Sequence, residues 1–273
     1  MTKEMLLPSN TSIICPSNDG EAVTIIDLAK RLGFDVHVSP QPWGATLDKE
    51  PASIFDLLRS NIVIIEIPGV EKEAALAREH QLYVLDHHKY EEFDRSNPKS
   101  SLEQFAELVG YTLNRWETGI ALNDRGYIPA LQEQGYTKAE IQQIREFDLT
   151  AQGYAQDVYR ALERDYADGW IHKNRMYIVA TKQSLSSYLG DIHFWNDAAQ
   201  EKKLDLLILK TNSNNLVQDI SFNGTPEFAA KLFKRLGGYC GGNKYLAMYW
   251  GKQQKTETTK ENAIQLIDTA LFS

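Results

Sequence analysis

Ile62-Val63-Ile64-Ile65-Glu66-Ile67-Pro68-Gly69, a helical stretch over Glu71 to Glu79, and then Leu82-Tyr83-Val84-Leu85-Asp86-His87-His88 read as strand, helix, strand. The first run is β-branched almost throughout, the pattern of a strand covered on both faces. Two such runs with a helix between them predict parallel neighbours in one sheet. Both runs turn polar at their carboxyl ends, at Glu66 and at Asp86-His87-His88.

The same alternation extends outward. Upstream, Ile13-Ile14-Cys15 is a short buried run. Ala22, Ile25, Ile26, Ala29 and Leu32 follow at helical spacing and Gly33 is placed to stop that helix. Phe34, Val36 and Val38 then alternate with Asp35 and His37, as in a half-exposed strand. Downstream, Ser100-Ser101-Leu102-Glu103 opens a helix with a capping box. From Thr137 to Asp168 there is no strand signal, and Thr137 with Glu140 forms another capping box.

Beyond Trp170 the strand pattern resumes with Met176 to Ala180, Leu204 to Leu209 and Val217 to Phe222. Thr225-Pro226-Glu227 starts a helix that ends in a Gly237-Gly238-Tyr239-Cys240-Gly241-Gly242-Asn243 loop. A short strand (Leu246 to Trp250) and a closing helix (Thr258 to Leu271) complete the chain. The expected fold is α/β, with a mostly parallel N-terminal sheet, a helical connection and a smaller α/β C-terminal domain. The expected boundaries are 1–135, 136–170 and 171–273.

The chain has 273 residues, 42% apolar and 24% charged, which is the composition of a globular protein. A net charge of −8 argues against a broad phosphate-binding face, and so against long duplex nucleic acid as a partner. Two cysteines far apart, Cys15 and Cys240, define no disulfide framework. The Met1-Thr2-Lys3-Glu4 start lacks the apolar run of a signal peptide, and no stretch has the length of a membrane span. A cytoplasmic location without a membrane partner is the expectation.

In parallel sheets, ligands collect at the carboxyl ends of strands. The residues placed there are Cys15, then Asp19 and Glu21 in the following loop, Glu66, and Asp86-His87-His88; Asp124 joins them from an Asn123-Asp124-Arg125-Gly126 loop. Crowded carboxylates need protons or a cation to coexist, and mixed carboxylate and imidazole donors suit Mn²⁺, Mg²⁺, Zn²⁺ or Fe²⁺. Two ions roughly 3.5–4 Å apart would clamp a phosphoryl group and generate hydroxide near neutral pH. Each residue also has a plainer reading. Cys15 is either a ligand or a small buried apolar group, and Glu66 and Asp124 are either ligands or turn residues. The Gly237–Gly242 run is either a phosphate cradle, with Lys244 beside it, or a helix stop and a turn. His37, His80, His172 and His193 read as structural or exposed, and Tyr188 and Trp195 as packing.

In order and content, these segments resemble the DHH phosphoesterases, a family that includes single-strand exonucleases, oligoribonucleases, cyclic-dinucleotide hydrolases and family II inorganic pyrophosphatases. Cys15-Pro16-Ser17-Asn18-Asp19-Gly20-Glu21 stands at the family's His-x-x-x-Asp-x-Asp motif, and Glu66 at its strand-ending Asp. The name-giving triplet is intact as Asp86-His87-His88, and Asp124 stands at the fourth motif. Gly238 to Asn243 resembles the Gly-Gly-Gly-His loop of the family's associated second domain, with Asn243 in place of His. Domain 1–135 is thereby identified as DHH-type and 171–273 as DHH-associated.

The resemblance implies that Asp19, His87 and Asp124 bind metal with Glu66 bridging, and that Cys15 and Glu21 fill the remaining positions. Asp86 would orient a histidine, and His88 would meet the phosphate or the leaving group. Gly241, Gly242, Asn243 and Lys244 would contact substrate. The implied cofactor is a divalent metal, manganese first, with zinc, iron or magnesium as alternatives. Cys15, Glu21 and Glu66 depart from the family pattern, and a Cys ligand would favour Zn²⁺ or Fe²⁺. The expected activity is metal-dependent hydrolysis of a small nucleotide, short single-stranded oligonucleotide or cyclic dinucleotide in the cleft between domains. The rival is a catalytically silent relative that binds a nucleotide or a protein partner, and a third reading is an inorganic pyrophosphatase. Association into a homodimer is left open by the sequence.

Overall fold

The structure is a computed structural model that describes residues 6–42, 44–90, 94–243 and 247–273. The chain is a two-domain α/β protein, dividing into a unit of Met1–Gly153 and a unit of Tyr154–Ser273. The division falls inside the stretch that the sequence marks as a helical connection.

The first unit is built on four parallel strands, β1 (Thr11–Cys15), β2 (Asp35–Val38), β3 (Asn61–Ile65) and β4 (Gln81–Leu85), in the order β2-β1-β3-β4. β1 and β3 are central, which is why their sequences are apolar on both faces. Ile14, Ile62 and Ile64 pack with Ala45, Leu47, Ile54 and Ile67 on one side. Ile13, Val63 and Ile65, one residue out of phase, are equally buried on the other. Helices α1 (Gly20–Arg31) and α3 (Ser101–Val109) pack against the sheet, joined through the edge-on rings of Phe34 and Phe105 at 6.1 Å. α2 (Val70–Leu76) makes the β3-to-β4 crossover, while α4 (Arg115–Glu133) and α5 (Lys138–Ala151) pack on each other and on α1.

Capping explains where these helices begin. Asp19 accepts the Ala22 N–H at the start of α1, and Ser100/Glu103, Asn114/Glu117 and Thr137/Glu140 form reciprocal capping boxes on α3, α4 and α5. The α4 box corrects one expectation. Asp124 stands inside the helix and not in a loop, because the buried residues Ile120, Ala121, Leu122 and Asn123 carry the helix through the turn-like Asn-Asp-Arg-Gly sequence. The break comes later, at Tyr127, with φ 57 and ψ −158.

The second unit contains α6 (Gln156–Ala167), α7 (Ser186–Trp195), α8 (Asp197–Glu201) and a mixed sheet of β5 (Trp170–His172), β6 (Met176–Thr181), β7 (Asp205–Thr211), β8 (Val217–Gly224), β9 (Tyr239–Asn243) and β10 (Ala247–Thr258), ordered β5-β6-β7-β8-β10-β9. Among the described residues, only the β6–β7 pair of this sheet is parallel. Met176, Ile178, Leu207, Leu209, Phe222 and Trp250 form its core with α9 (Pro226–Leu236) and α10 (Lys260–Phe272). Among the described residues, no helix is long and apolar enough to cross a membrane.

Here a second expectation is corrected. Residues 239–243 form the edge strand β9, hydrogen-bonded to β10, where the glycine content had suggested a loop. Glycine is needed because the neighbours come close. Gly238 has φ +93, and a Cβ there would overlap the Gly251 carbonyl oxygen; at Gly241 a Cβ would overlap the Tyr249 hydroxyl. His193 is buried, its Nε2–H donating to the Leu204 carbonyl at 2.8 Å and its Nδ1 facing the Tyr166 hydroxyl at 3.0 Å.

Two predictions follow from this packing. Gly238→Ala meets rigid backbone at a left-handed φ and should cost roughly 1–3 kcal/mol. Gly241→Ala meets a side-chain tip that can swing away and should cost clearly less in urea unfolding followed by tryptophan fluorescence. For His193, burial lowers the pKa below the ordinary 6.5. The unfolded chain therefore takes up the proton first, and stability falls as pH drops through about 6.5. The urea midpoint lost between pH 7.5 and 5.5 should be smaller in His193→Gln than in wild type.

Candidate metal centre

The carboxyl edge of the parallel sheet gathers the candidate residues from four segments. Glu66 directly follows β3 in a left-handed conformation, φ 50, which is unusual for a residue with a side chain and marks a position held by its surroundings. Its backbone N–H donates to the Leu85 carbonyl at 3.0 Å. Its Oε1 accepts the Ser101 hydroxyl at 2.7 Å and lies 3.2 Å from His87 Nε2. His87 Nε2 is in turn 2.7 Å from Asp124 Oδ2.

Glu21 comes from the first turn of α1. Its Oε1 accepts the Leu102 N–H at 3.0 Å, where the N-terminus of α3 favours a negative charge. Donor atoms of Glu21, Glu66, His87 and Asp124 all lie within 4.8 Å of one another, and those of Glu66, His87 and His88 form an overlapping group.

Three of these atoms, Glu21 Oε2, His87 Nε2 and Asp124 Oδ2, are buried without a hydrogen-bond partner among the described residues. The His87–Asp124 pair is close enough for a hydrogen bond yet not aligned as one. Close approach without alignment is what atoms do when they aim at a common third point. Neighbouring donors on an ion with bonds of about 2.1 Å stand roughly 3 Å apart, and the two measured separations bracket that value. The donor set of carboxylate oxygens and an imidazole fits a divalent cation, and the cluster can hold a metal ion.

Electrostatics point the same way. Burial, then the charges of Glu66 and Asp124, push the Asp19 carboxyl well above its usual range. Burial, then Asp124 and Glu66, do the same to Glu21. Against its own burial, His87 is pushed up to about 11 by Asp124 and Glu66. Asp124, also buried, is held low by His87. Without a cation the cluster must therefore take up protons to balance its charge, and a divalent ion offers the alternative.

Asp86 has a supporting place. It is buried, its Oδ1 accepting both the backbone N–H and the Nδ1–H of His88 at 3.0 Å, its Oδ2 accepting the Tyr90 hydroxyl at 2.9 Å. The His88 imidazole is 40% exposed and tilted 41° against His87 at 4.4 Å. Opposing its burial, the Asp86 hydrogen bond raises its pKa. With Nδ1 committed to Asp86, Nε2 is the nitrogen left to meet another group.

Not every candidate converges. Cys15 is fully buried, with its thiol 3.8 Å from the Ala22 carbonyl, and burial followed by Asp19, Glu66 and Glu21 raises its pKa. In the ion-free protein it is therefore held as a thiol. Asp19 caps α1 through a 2.7 Å hydrogen bond from Ala22 N–H, and like Cys15 it stands outside both donor groups. Gly241 is in β9, Gly242 and Asn243 follow it in the same strand, and Lys244 lies outside the described residues.

The sequence reading missed Ser101 and Tyr90 as partners of Glu66 and Asp86. Ser101 was visible only as a helix start, and Tyr90 carries no motif at all. The four remaining histidines have partners of their own: His37 faces Asp35, His80 the Arg59 carbonyl, His172 Asp268, and His193 Leu204 and Tyr166.

No family model and no curated protein matches the chain. Among solved structures it is similar to CDC45 from Entamoeba histolytica, with 7% identity over 97% of this chain and 95% of that chain and a TM-score of 0.41. It is also similar to a Methanococcus jannaschii protein assigned as a family II inorganic pyrophosphatase, with 12% identity over 96% of this chain and 99% of that chain and a TM-score of 0.27. Likeness at this level is one of general shape, and the chemistry has to be argued from the site itself.

If the cluster takes a cation, divalent metal should stabilise the fold. Mn²⁺ at about 100 times its Kd should add ~2.7 kcal/mol, read as a rise in Tm that chelator reverses and His87→Ala abolishes. Unchanged Tm with Mn²⁺, Mg²⁺, Zn²⁺ and Fe²⁺ alike would remove the metal centre.

Proposed function

We propose that the protein is a metal-dependent phosphoesterase of the DHH type, acting on a small phosphorylated substrate such as a nucleotide, a short single-stranded oligonucleotide or a cyclic dinucleotide. The observation that carries this reading is the convergence of Glu21, Glu66, His87 and Asp124, with three of their donor atoms buried and unpartnered among the described residues. Glu66, His87 and Asp124 would hold the cation and Glu21 would complete the set. Carboxylate oxygens with one imidazole suit Mn²⁺, with Mg²⁺, Fe²⁺ or Zn²⁺ as substitutes, and Cys15, outside both donor groups, adds no thiolate preference to that set. A divalent ion there would supply hydroxide near neutral pH and offset charge on the phosphoryl group.

The chain's own residues complete the chemistry. Asp86 holds His88 Nδ1, so His88 can deliver a proton from Nε2 to the departing oxygen, a contribution of about 10²–10⁴ in rate. Ser101, donating to Glu66, fixes which carboxylate oxygen turns toward His87. In the second unit, Gly241, Gly242 and Asn243 belong to a strand that is at the sheet edge among the described residues, and its outward amides would suit a phosphate oxygen; Lys244 would add a positive charge.

A second reading, a catalytically silent nucleotide- or protein-binding relative, is favoured by one observation: Cys15 and Asp19 stand outside the donor groups, leaving fewer ligands than two ions need.

Assays of a generic phosphodiester, short oligonucleotides, a cyclic dinucleotide and pyrophosphate with each metal in turn test the proposal. Turnover lost in His87→Ala and Asp124→Ala, and reduced about 10²-fold or more in His88→Ala, is the expected result. Metal binding without turnover of any of these would favour the silent binder.

A further inference from the structure

Arg145 and Asp148, on α5, match no motif, yet they join the two segments that carry Glu21 and Asp124. Arg145 is 4% exposed, and a guanidinium that deep persists only when its charge and donors are met. Its Nη1 donates to Asp148 Oδ2 at 2.7 Å and to Asn123 Oδ1 at 3.1 Å, and the guanidinium lies 4.6 Å over the Tyr127 ring. Asp148 Oδ1 accepts the Gly20 N–H at 2.9 Å, and its Oδ2 also accepts Gln152 Nε2 at 3.3 Å. Both Asp148 oxygens are thus engaged, and Asp148 stands outside the donor groups around His87.

The points of attachment are specific. Gly20 separates Asp19 from Glu21, and a Cβ there would lie 3.0 Å from Asp148 Cα and 3.1 Å from its Oδ1, so α1 begins in direct contact with α5. Asn123 precedes Asp124, and Tyr127 is the left-handed residue at which α4 breaks. Carboxylates that repel one another hold their spacing only if the backbones beneath them are tied.

We infer that the Arg145–Asp148 pair is a positioning element that sets Glu21 and Asp124 at the spacing a divalent cation requires. This rests on the function proposed above.

Calorimetric titration of the full chain with Mn²⁺ tests it. Arg145→Met, Asp148→Ala and Asn123→Ala should each weaken Mn²⁺ binding about 10- to 100-fold while far-UV dichroism and cooperative unfolding persist. Arg145→Lys keeps the charge without the planar guanidinium that lies over the Tyr127 ring and aims Nη1 at Asp148 and Asn123, and should recover only part of the affinity. Should Arg145→Met fail to fold, the nearly isosteric Asp148→Asn carries the test, with the same weakening expected. A lowered unfolding midpoint at wild-type Mn²⁺ affinity would make the pair merely structural and overturn the inference. Wild type that binds none of Mn²⁺, Mg²⁺, Zn²⁺ and Fe²⁺ would overturn the proposed function, and the inference with it.

Discussion

An imidazole pressed between carboxylates in a buried setting is the constraint around which the first unit is organised. His87 Nε2 stands 2.7 Å from Asp124 and 3.2 Å from Glu66, with the buried Glu21 close by. Burial first, and then the neighbouring carboxylates, raise the pKa values of Asp19 and Glu21, and the cost falls when positive charge enters. Protons supply it in the ion-free protein. A cation supplies it in the functional reading.

The architecture serves that constraint by bringing separate chain segments to one sheet edge. Parallel strands place Cys15, Glu66 and Asp86-His87-His88 along the same side, since every strand runs the same way. The N-terminus of α3 then offers Ser101 to Glu66 and the Leu102 amide to Glu21. Left-handed backbone at Glu66 and at Tyr127, near Asp124 in sequence, indicates that local conformation was strained to aim side chains inward. Such strain persists because the surrounding core is close-packed, with Ile13, Ile25, Ile64 and Phe105 fully buried.

The second unit follows a different logic. Its glycines permit close backbone approach in a hairpin, where Tyr239 and Tyr249 cross the positions that side chains at 251 and 241 would occupy. The same residues that read as a flexible cradle are therefore part of a paired strand, anchored by Trp250 Nε1 donating to the Gly237 carbonyl at 2.8 Å. Glycine content alone does not distinguish a loop from a tightly packed strand edge, because both exploit the missing Cβ.

By itself the sequence determined what depends on near neighbours. The alternation of strands and helices, the capping boxes at Ser100 and Thr137, and the position of Asp86-His87-His88 at a strand end all follow from periodicities and contacts of a few residues. Tertiary structure decided which candidates meet. Glu21 reaches the site through a hydrogen bond spanning 81 positions, and Gly20 is held by Asp148 across 128. Asp19 and Cys15, two and six residues before Glu21 on the same segment, are taken up by a helix cap and by burial respectively. Asp124 sits on a helix and not in a turn because packing on α1 and α5 outweighs the turn preference of its sequence. Convergence is a property of distant segments folded together, and no local pattern encodes it.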